Sequence, residues 1–236
     1  MAESEQKVKR LLLLAAALLI AASFFMYRAI VAPRELRVFV PNVGAKGDSV
    51  VVETPSGKTL LIDAGPDASV LRALGSTLPE WRRRIDAVVL TSPIAMASGG
   101  LPEIFYRYHV DVLFRSGVRG SKSTEATLAA AAGAEPGLQQ VELSRGARLT
   151  LGDGVIVDVL WPGADIGAMK PANSALVLRF SYGTTAFIIE ENLSPGAAAW
   201  LATLDPGAVP SPTSLFISSS TPAGVYTSNG REILKK

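Results

Sequence analysis

Apolar and polar positions divide this chain into two regimes. From Leu11 to Val31 the sequence "LLLLAAALLIAASFFMYRAIV" is apolar on every side, with Arg28 its one charge. About 20 such residues cross a bilayer core, and an arginine near the end can snorkel to the interface. The predicted organisation is a charged N-terminus at 1–10, a transmembrane anchor at 11–31 and a folded domain at 36–236. A cleaved signal peptide is the rival reading, with an h-region of roughly 12 residues. No small-x-small cleavage site precedes the first strand, which favours the anchor. Lys7, Lys9 and Arg10 before the span are denser than Arg28 at its end with Arg34 and Arg37 beyond it. The positive-inside rule then predicts a single-pass membrane protein with a cytoplasmic N-terminus and an extracytoplasmic domain.

Beyond Glu35 the apolar runs shorten and are broken by Gly and Pro. "LRVFV" reads as a strand, and "VVVET" with "TLLID" as a hairpin turned by "PSGK". Val70, Leu71, Leu74 and Leu78 recur at helical spacing. "RRRIDAVVLTS" is a strand, "GGLPEIFYRYH" a helix and "VDVLFRSG" a strand. "STEATLAAAAGA" is a helix by its alanines, with Ser123 as the expected cap. Two further hairpins turn at Gly152-Asp153-Gly154 and Tyr182-Gly183. A short helix is expected at "SPGAAAWLATL", then strands at "TSLFISSS" and around the Asn-Gly turn of "GVYTSNGREIL". Hairpins, then strand–helix alternation, then hairpins again predict two helix-covered sheets in one mixed α/β domain.

Composition narrows the chemistry. The 236 residues include no Cys, which excludes disulfides and thiolate metal sites. His109 is the sole histidine. One imidazole cannot fill the several ligand positions of a zinc or iron hydrolase, nor is a Ser or Cys nucleophile motif paired with it. Four of the 23 basic and two of the 21 acidic residues fall in the first 33, leaving 19 of each for the domain. A neutral domain argues against nucleic acid as a partner.

The order of motifs carries more. The stretches "VPNVGAKGDS", "TPSGKTLLIDAGP", "RRIDAVVLTSPIAMASGGLPEI" and "NSALVLRFSYGTTAFIIEEN" resemble, in this order, the metallo-β-lactamase-like domain of ComEC/Rec2-type competence proteins. The resemblance covers most of Leu36 to Asn192. It implies an αββα sandwich with a metal site at one edge, built on an H-x-H-x-D-H loop. Those ligand positions fall here on Ser92, Ile94, Met96 and Ala97, and the family's metal-bridging aspartate falls on Asn192. Ser is a poor ligand, and Ile, Met and Ala offer no hard donor for Zn²⁺ or Mn²⁺. Asp63, which in the family organises the loop, is kept, as is the Gly99-Gly100 pair.

Other polar residues read more simply as structure. His109 sits at a helix-to-strand join. Ser121 and Lys122 are adjacent at a helix start and face different ways. Ser218 to Thr221 suits a strand end better than a polar pocket. "GAKGDS" lacks Walker spacing, and Arg82, Arg83 and Arg84 suit a solvated turn. Glu190 and Glu191 are consecutive and on a strand would face opposite sides. The expectation is a membrane-anchored, catalytically inactive relative with no cofactor. It would act as a binding or scaffold module, with a membrane complex or an active paralogue as partner and a link to DNA uptake. Two alternatives stay open: a metal-dependent hydrolase or nuclease with a site rebuilt from Asp63, Glu190 and Asn192, and a small-ligand binder using the apolar pocket.

Overall fold

A computed structural model describes residues 2–31, 35–41, 49–162, 175–190 and 213–236. The chain divides into two compact units, Met1–Arg34 and Glu35–Lys236. In the first, helix α1 (Ala2–Val31) contains a 19-residue stretch, Lys9–Tyr27, long and apolar enough to cross a membrane.

The second unit is a stack of two sheets. Strands β1 (Leu36–Val40), β2 (Val50–Glu53), β3 (Thr59–Ile62), β4 (Arg84–Leu90), β5 (His109–Ser116) and β6 (Gln139–Leu143) form one sheet. The C-terminal strands β12 (Gly224–Ser228) and β13 (Ile233–Lys235) complete it, in the order β13-β12-β1-β2-β3-β4-β5-β6. The second sheet has the order β11-β10-β9-β8-β7, from β7 (Arg148–Gly152), β8 (Val155–Trp161), β9 (Val177–Tyr182), β10 (Thr185–Glu190) and β11 (Ser214–Ile217). Strands β3 to β6 run parallel, joined by helices α2 (Ser69–Thr77), α3 (Ala95–Ser98), α4 (Leu101–Arg107) and α5 (Lys122–Ala134). Parallel strands need such crossovers, and their helices must cover a face.

Alternation along the strands makes two cores. Val38, Val52, Leu60, Ile62 and Val89 face the second sheet, where Val157, Leu178, Phe180, Phe187 and Ile189 meet them. Burying a ring such as Phe180 contributes about 1.5–3 kcal/mol. The intervening residues Val51, Leu61, Val88 and Leu90 point the other way, onto Val70, Leu74, Leu101, Ile104 and Leu128 of the helices. A smaller cluster of Leu160, Trp161, Val177 and Ile188 lines the outer face of the second sheet. The helix expected at "SPGAAAWLATL" lies outside the described residues.

One local expectation needs correction, and two short elements were not expected. Helix α5 is capped by Ser121 rather than Ser123: Ser121 Oγ accepts the Thr124 amide at 3.1 Å. The serine two residues upstream wins because its backbone is extended while Ser123 is already helical. A four-residue helix, α3, precedes the Gly-Gly pair, where the sequence pattern was too short to show one. Strand β6 was not foreseen because four of its five residues are exposed and show no alternation.

Candidate functional site

The parallel strands β3, β4 and β5 end at one edge of the larger sheet. In α/β sheets that carboxyl edge is where ligands usually bind. Asp63 follows β3 and Thr91 follows β4. Asp63 is fully buried and adopts a left-handed backbone, φ 56°, which an aspartate tolerates better than most residues. Its Oδ1 accepts the Thr91 amide at 2.7 Å and its Oδ2 accepts the Thr91 hydroxyl at 2.5 Å. The Asp63 amide in turn donates to the Val89 carbonyl at 2.9 Å. One carboxylate therefore latches two adjacent strand ends.

The loop that follows Thr91 is held as firmly. The Ala64 amide donates to the Ala97 carbonyl at 2.7 Å, and the Gly100 amide to the Gly65 carbonyl at 3.1 Å. Gly99 and Gly100 have ordinary helical φ, −62° and −82°. What demands glycine is proximity: a Cβ at Gly99 would lie 2.0 Å from the Pro66 carbonyl oxygen, and one at Gly100 2.2 Å from that of Ala64. On the other flank, Gly120 packs so close to Pro93 that a Cβ would lie 2.4 Å from its carbonyl oxygen. Glu125 Oε1 accepts the Gly120 amide at 2.8 Å, and the nearly buried Arg115 donates to both oxygens of Glu125, at 2.8 and 3.0 Å. Burial pushes the Glu125 carboxyl up. The Arg115 and Gly120 hydrogen bonds and the Arg115 and Arg119 charges outweigh that and leave it below its ordinary 4.5.

Within this frame the positions where the resemblance places metal ligands point into packing. Ser92 is buried. Ile94 packs against the core between sheet and helices, and Ala97 is fully buried in it. Met96 is half-buried. These side chains do not fit a divalent cation: no charge balances one, and placing an ion among apolar groups is costly. Asn192 and Glu191 lie outside the described residues. Among the described residues no group of three or more His, Asp or Glu could hold a metal.

Asp63 and Glu190 belong to the same end of the sandwich but to different surroundings. The Leu176 amide donates to the Thr91 carbonyl at 2.9 Å, which joins the two sheets there, and Val177 pairs with Glu190 across β9 and β10. Alternation sends Glu190 to the face that carries Ile188, away from the inter-sheet core. Its partial burial pushes its carboxyl above the ordinary 4.5. Asp63 is instead taken up by Thr91. Thr91 was not singled out in the sequence; its signal would have been a hydroxyl directly after a buried strand beside the "LIDAG" aspartate.

Beside the loop is a cleft of about 230 Å³ between Ala95, Ser98, Gly99 and Pro102 on one wall and Thr127 and Leu128 of α5 on the other. It is smaller than the ~300–1,000 Å³ of most small-molecule sites.

The residues read as structural occupy structural places. His109 opens β5 with its Nδ1 2.6 Å from Glu135 Oε1 and its Nε2 3.4 Å from Asp111. Arg82 donates to Thr59 Oγ1 and to the Gly57 carbonyl, clamping the β2–β3 turn. Ser218 and Thr221 close a turn after β11.

No family model and no curated protein matches the chain. Solved structures do. The metallo-beta-lactamase fold protein YhfI from Bacillus subtilis is 13% identical, with a TM-score of 0.47; the match covers 66% of this chain and 61% of that one, less than two-thirds of its length. Zn²⁺-bound PqqB from Methylobacterium extorquens is 14% identical over 70% of this chain and 69% of that one, with a TM-score of 0.49. MEM-A1, a subclass B3 metallo-beta-lactamase from a soil metagenome library, is 12% identical over 78% and 76%, with a TM-score of 0.48. The domain itself is a mixed α/β stack of two sheets, as the order of its hairpins and strand–helix units predicted.

Proposed function

We propose that this chain is a membrane-anchored binding or scaffold module that uses a metallo-β-lactamase-type sandwich without metal-dependent catalysis. The observation that carries this reading is the loop itself. Its latch and its glycine contacts are retained, while Ser92, Ile94, Met96 and Ala97 stand where ligands would be, two of them packed against or within the outer core. A scaffold selected for shape keeps the packing of a site after its donors have gone. The stretch Lys9–Tyr27 supports a single-pass anchor, and the denser basic cluster before it supports a cytoplasmic N-terminus with the domain outside. The resemblance to competence proteins extends the reading to a protein partner in the membrane, an active paralogue or a DNA-uptake channel.

The test is the metal content of the folded full-length chain, purified in detergent and measured by elemental mass spectrometry. The expected result is only traces of Zn, Mn or Fe. Near-stoichiometric metal would overturn the reading and put a hydrolase or nuclease with a rebuilt site in its place. Affinity isolation from native membranes then tests the partner, with one membrane protein co-purifying reproducibly as the expected outcome.

A further inference from the structure

At the opposite edge of the eight-stranded sheet, where β1, β4 and β5 begin, two aromatic rings stand in solvent. Trp81 is 84% exposed and Tyr106 is 90% exposed. Trp81 lies in the connection from α2 to β4, and Tyr106 in the last turn of α4, just before β5. The His109 amide donates to the Arg83 carbonyl at 2.8 Å, which ties the two connections together. Arg83, Arg84 and Arg107 are exposed near the rings in sequence, with Glu80 next to Trp81 and Glu103 in the first turn of α4 as exposed acids. Arg84 pairs with Asp111 at 2.7 Å yet keeps its side chain 65% exposed. Isolated exposed apolar residues are ordinary. Trp and Tyr set among guanidinium groups are the side chains that suit the headgroup layer of a bilayer.

The chain order leaves few residues between the apolar helix and this edge. Strand β1 is antiparallel to β2 and β2 to β3, so β1 runs with β3, β4 and β5 and begins at the same edge. Residues 32–35 alone separate α1 from Leu36 in sequence. A chain that crosses the bilayer with Lys9–Tyr27 therefore meets this edge within a few residues of leaving the membrane. Five residue steps reach at most about 18 Å, and β4 lies three strand spacings from β1, about 14 Å.

We propose that this edge is a lipid contact surface: Trp81 and Tyr106 seat in the headgroup layer, and Arg83, Arg84 and Arg107 bind the phosphates of anionic lipids. The proposal rests on the membrane-anchor reading above. It gives the module a fixed orientation, with the loop edge turned away from the bilayer and open to a partner.

The chain has no Cys, so a single introduced thiol carries a spin label alone. Full-length Glu80→Cys and Lys122→Cys variants, one label at each edge, are reconstituted in nanodiscs of phosphatidylcholine and phosphatidylglycerol. Collision with oxygen and with a water-soluble nickel chelate is then read by electron paramagnetic resonance. The ratio of oxygen to nickel accessibility is expected to be severalfold higher at position 80 than at 122. Adding Arg83→Glu and Arg107→Glu is expected to abolish that difference, since two arginines are worth about thirtyfold in surface occupancy. A chain that washes from membranes with alkaline carbonate overturns anchor and contact together. A chain that stays, with equal accessibility at both labels, overturns the contact alone. Shielding from nickel without a gain in oxygen places a protein on the edge and overturns the lipid assignment.

Discussion

The two edges of the larger sheet treat their polar groups in opposite ways. At the edge where β3, β4 and β5 end, Asp63 is spanned by Thr91, Arg115 by Glu125, and the loop from Thr91 to Gly100 lies against 64–67. Asp63, Thr91 and Glu125 there find their partners within the protein. At the edge where β1, β4 and β5 begin, Trp81, Tyr106, Arg83 and Arg107 face outward. The usual ligand edge of an α/β sheet is here closed by a hydrogen-bonded seam, while the other edge carries exposed rings and guanidinium groups. A fold thus fixes where a site could be without fixing where the chemistry is.

The sharpest way to break this contrast is Asp63→Ala. The change removes two charge-assisted acceptors, leaves the Thr91 amide and hydroxyl buried and unpaired, and puts Ala at φ 56°. It is expected to cost about 3–5 kcal/mol, read by urea unfolding of the full chain in detergent. Asp63→Asn keeps an acceptor for the amide and tolerates the left-handed backbone, so its cost is about 1–2 kcal/mol. An Asp63→Ala protein of unchanged stability that lost a metal-dependent activity would mean the seam is a working site.

Glycine substitutions sharpen the same point at a smaller scale. Gly100→Ala brings a Cβ within 2.2 Å of the Ala64 oxygen, 2.6 Å of the Asp67 oxygen and 2.8 Å of Val70 Cγ1. The backbone on both sides must shift, at about 1–3 kcal/mol. Gly75, on the exposed side of α2, has nothing within 4 Å of an added Cβ. Gly75→Ala should stabilise the protein by about 0.5–1 kcal/mol through helix propensity. Thermal unfolding of the two variants in parallel separates close packing from backbone freedom, and a shift of the same sign in both would undo the argument.

Much of this was legible in the sequence where the pattern is local. Apolar, β-rich runs bounded by turn residues located β1 to β5, and the Asn-Gly and Gly-Asp-Gly turns located two of the late hairpins. The polar edge strand β6 escaped because Gln139 to Glu142 bury nothing on either face. At the site, motif order identified the loop positions but not their direction. That Ile94 and Ala97 turn into the outer core depends on the 64–67 segment pressing from the side. The Asp63–Thr91 latch joins residues 28 apart, a pairing that no local pattern reports. Trp81 and Tyr106 drew no notice in sequence because an aromatic ring there reads equally as core or surface. Only the parallel run of β1 with β4 and β5 brings them to the edge at which β1 begins.

The smallest expected effect is a pH response of opposite sign at two glutamates. Glu125, in the inward-turned seam, has its folded carboxyl held below 4.5; burial works against this, but Arg115, the Gly120 amide and Arg119 prevail. Its stabilisation is present above the unfolded value and is lost as pH falls through the folded one. Glu190, on the outer face of the second sheet, has its carboxyl raised above 4.5 by burial. Its contribution is therefore greatest below the unfolded value and is lost as pH rises through the folded one. Glu125→Gln should lower stability at neutral pH by up to about 1 kcal/mol, allowing for solvent screening of a partly exposed pair, and change little well below 4.5. Glu190→Gln should raise stability at neutral pH and leave it unchanged in acid. Unfolding midpoints of both variants across the acid range test the pair. Parallel profiles would mean that Arg115 does not hold Glu125 in its charged state, and that the seam is looser than its hydrogen bonds imply.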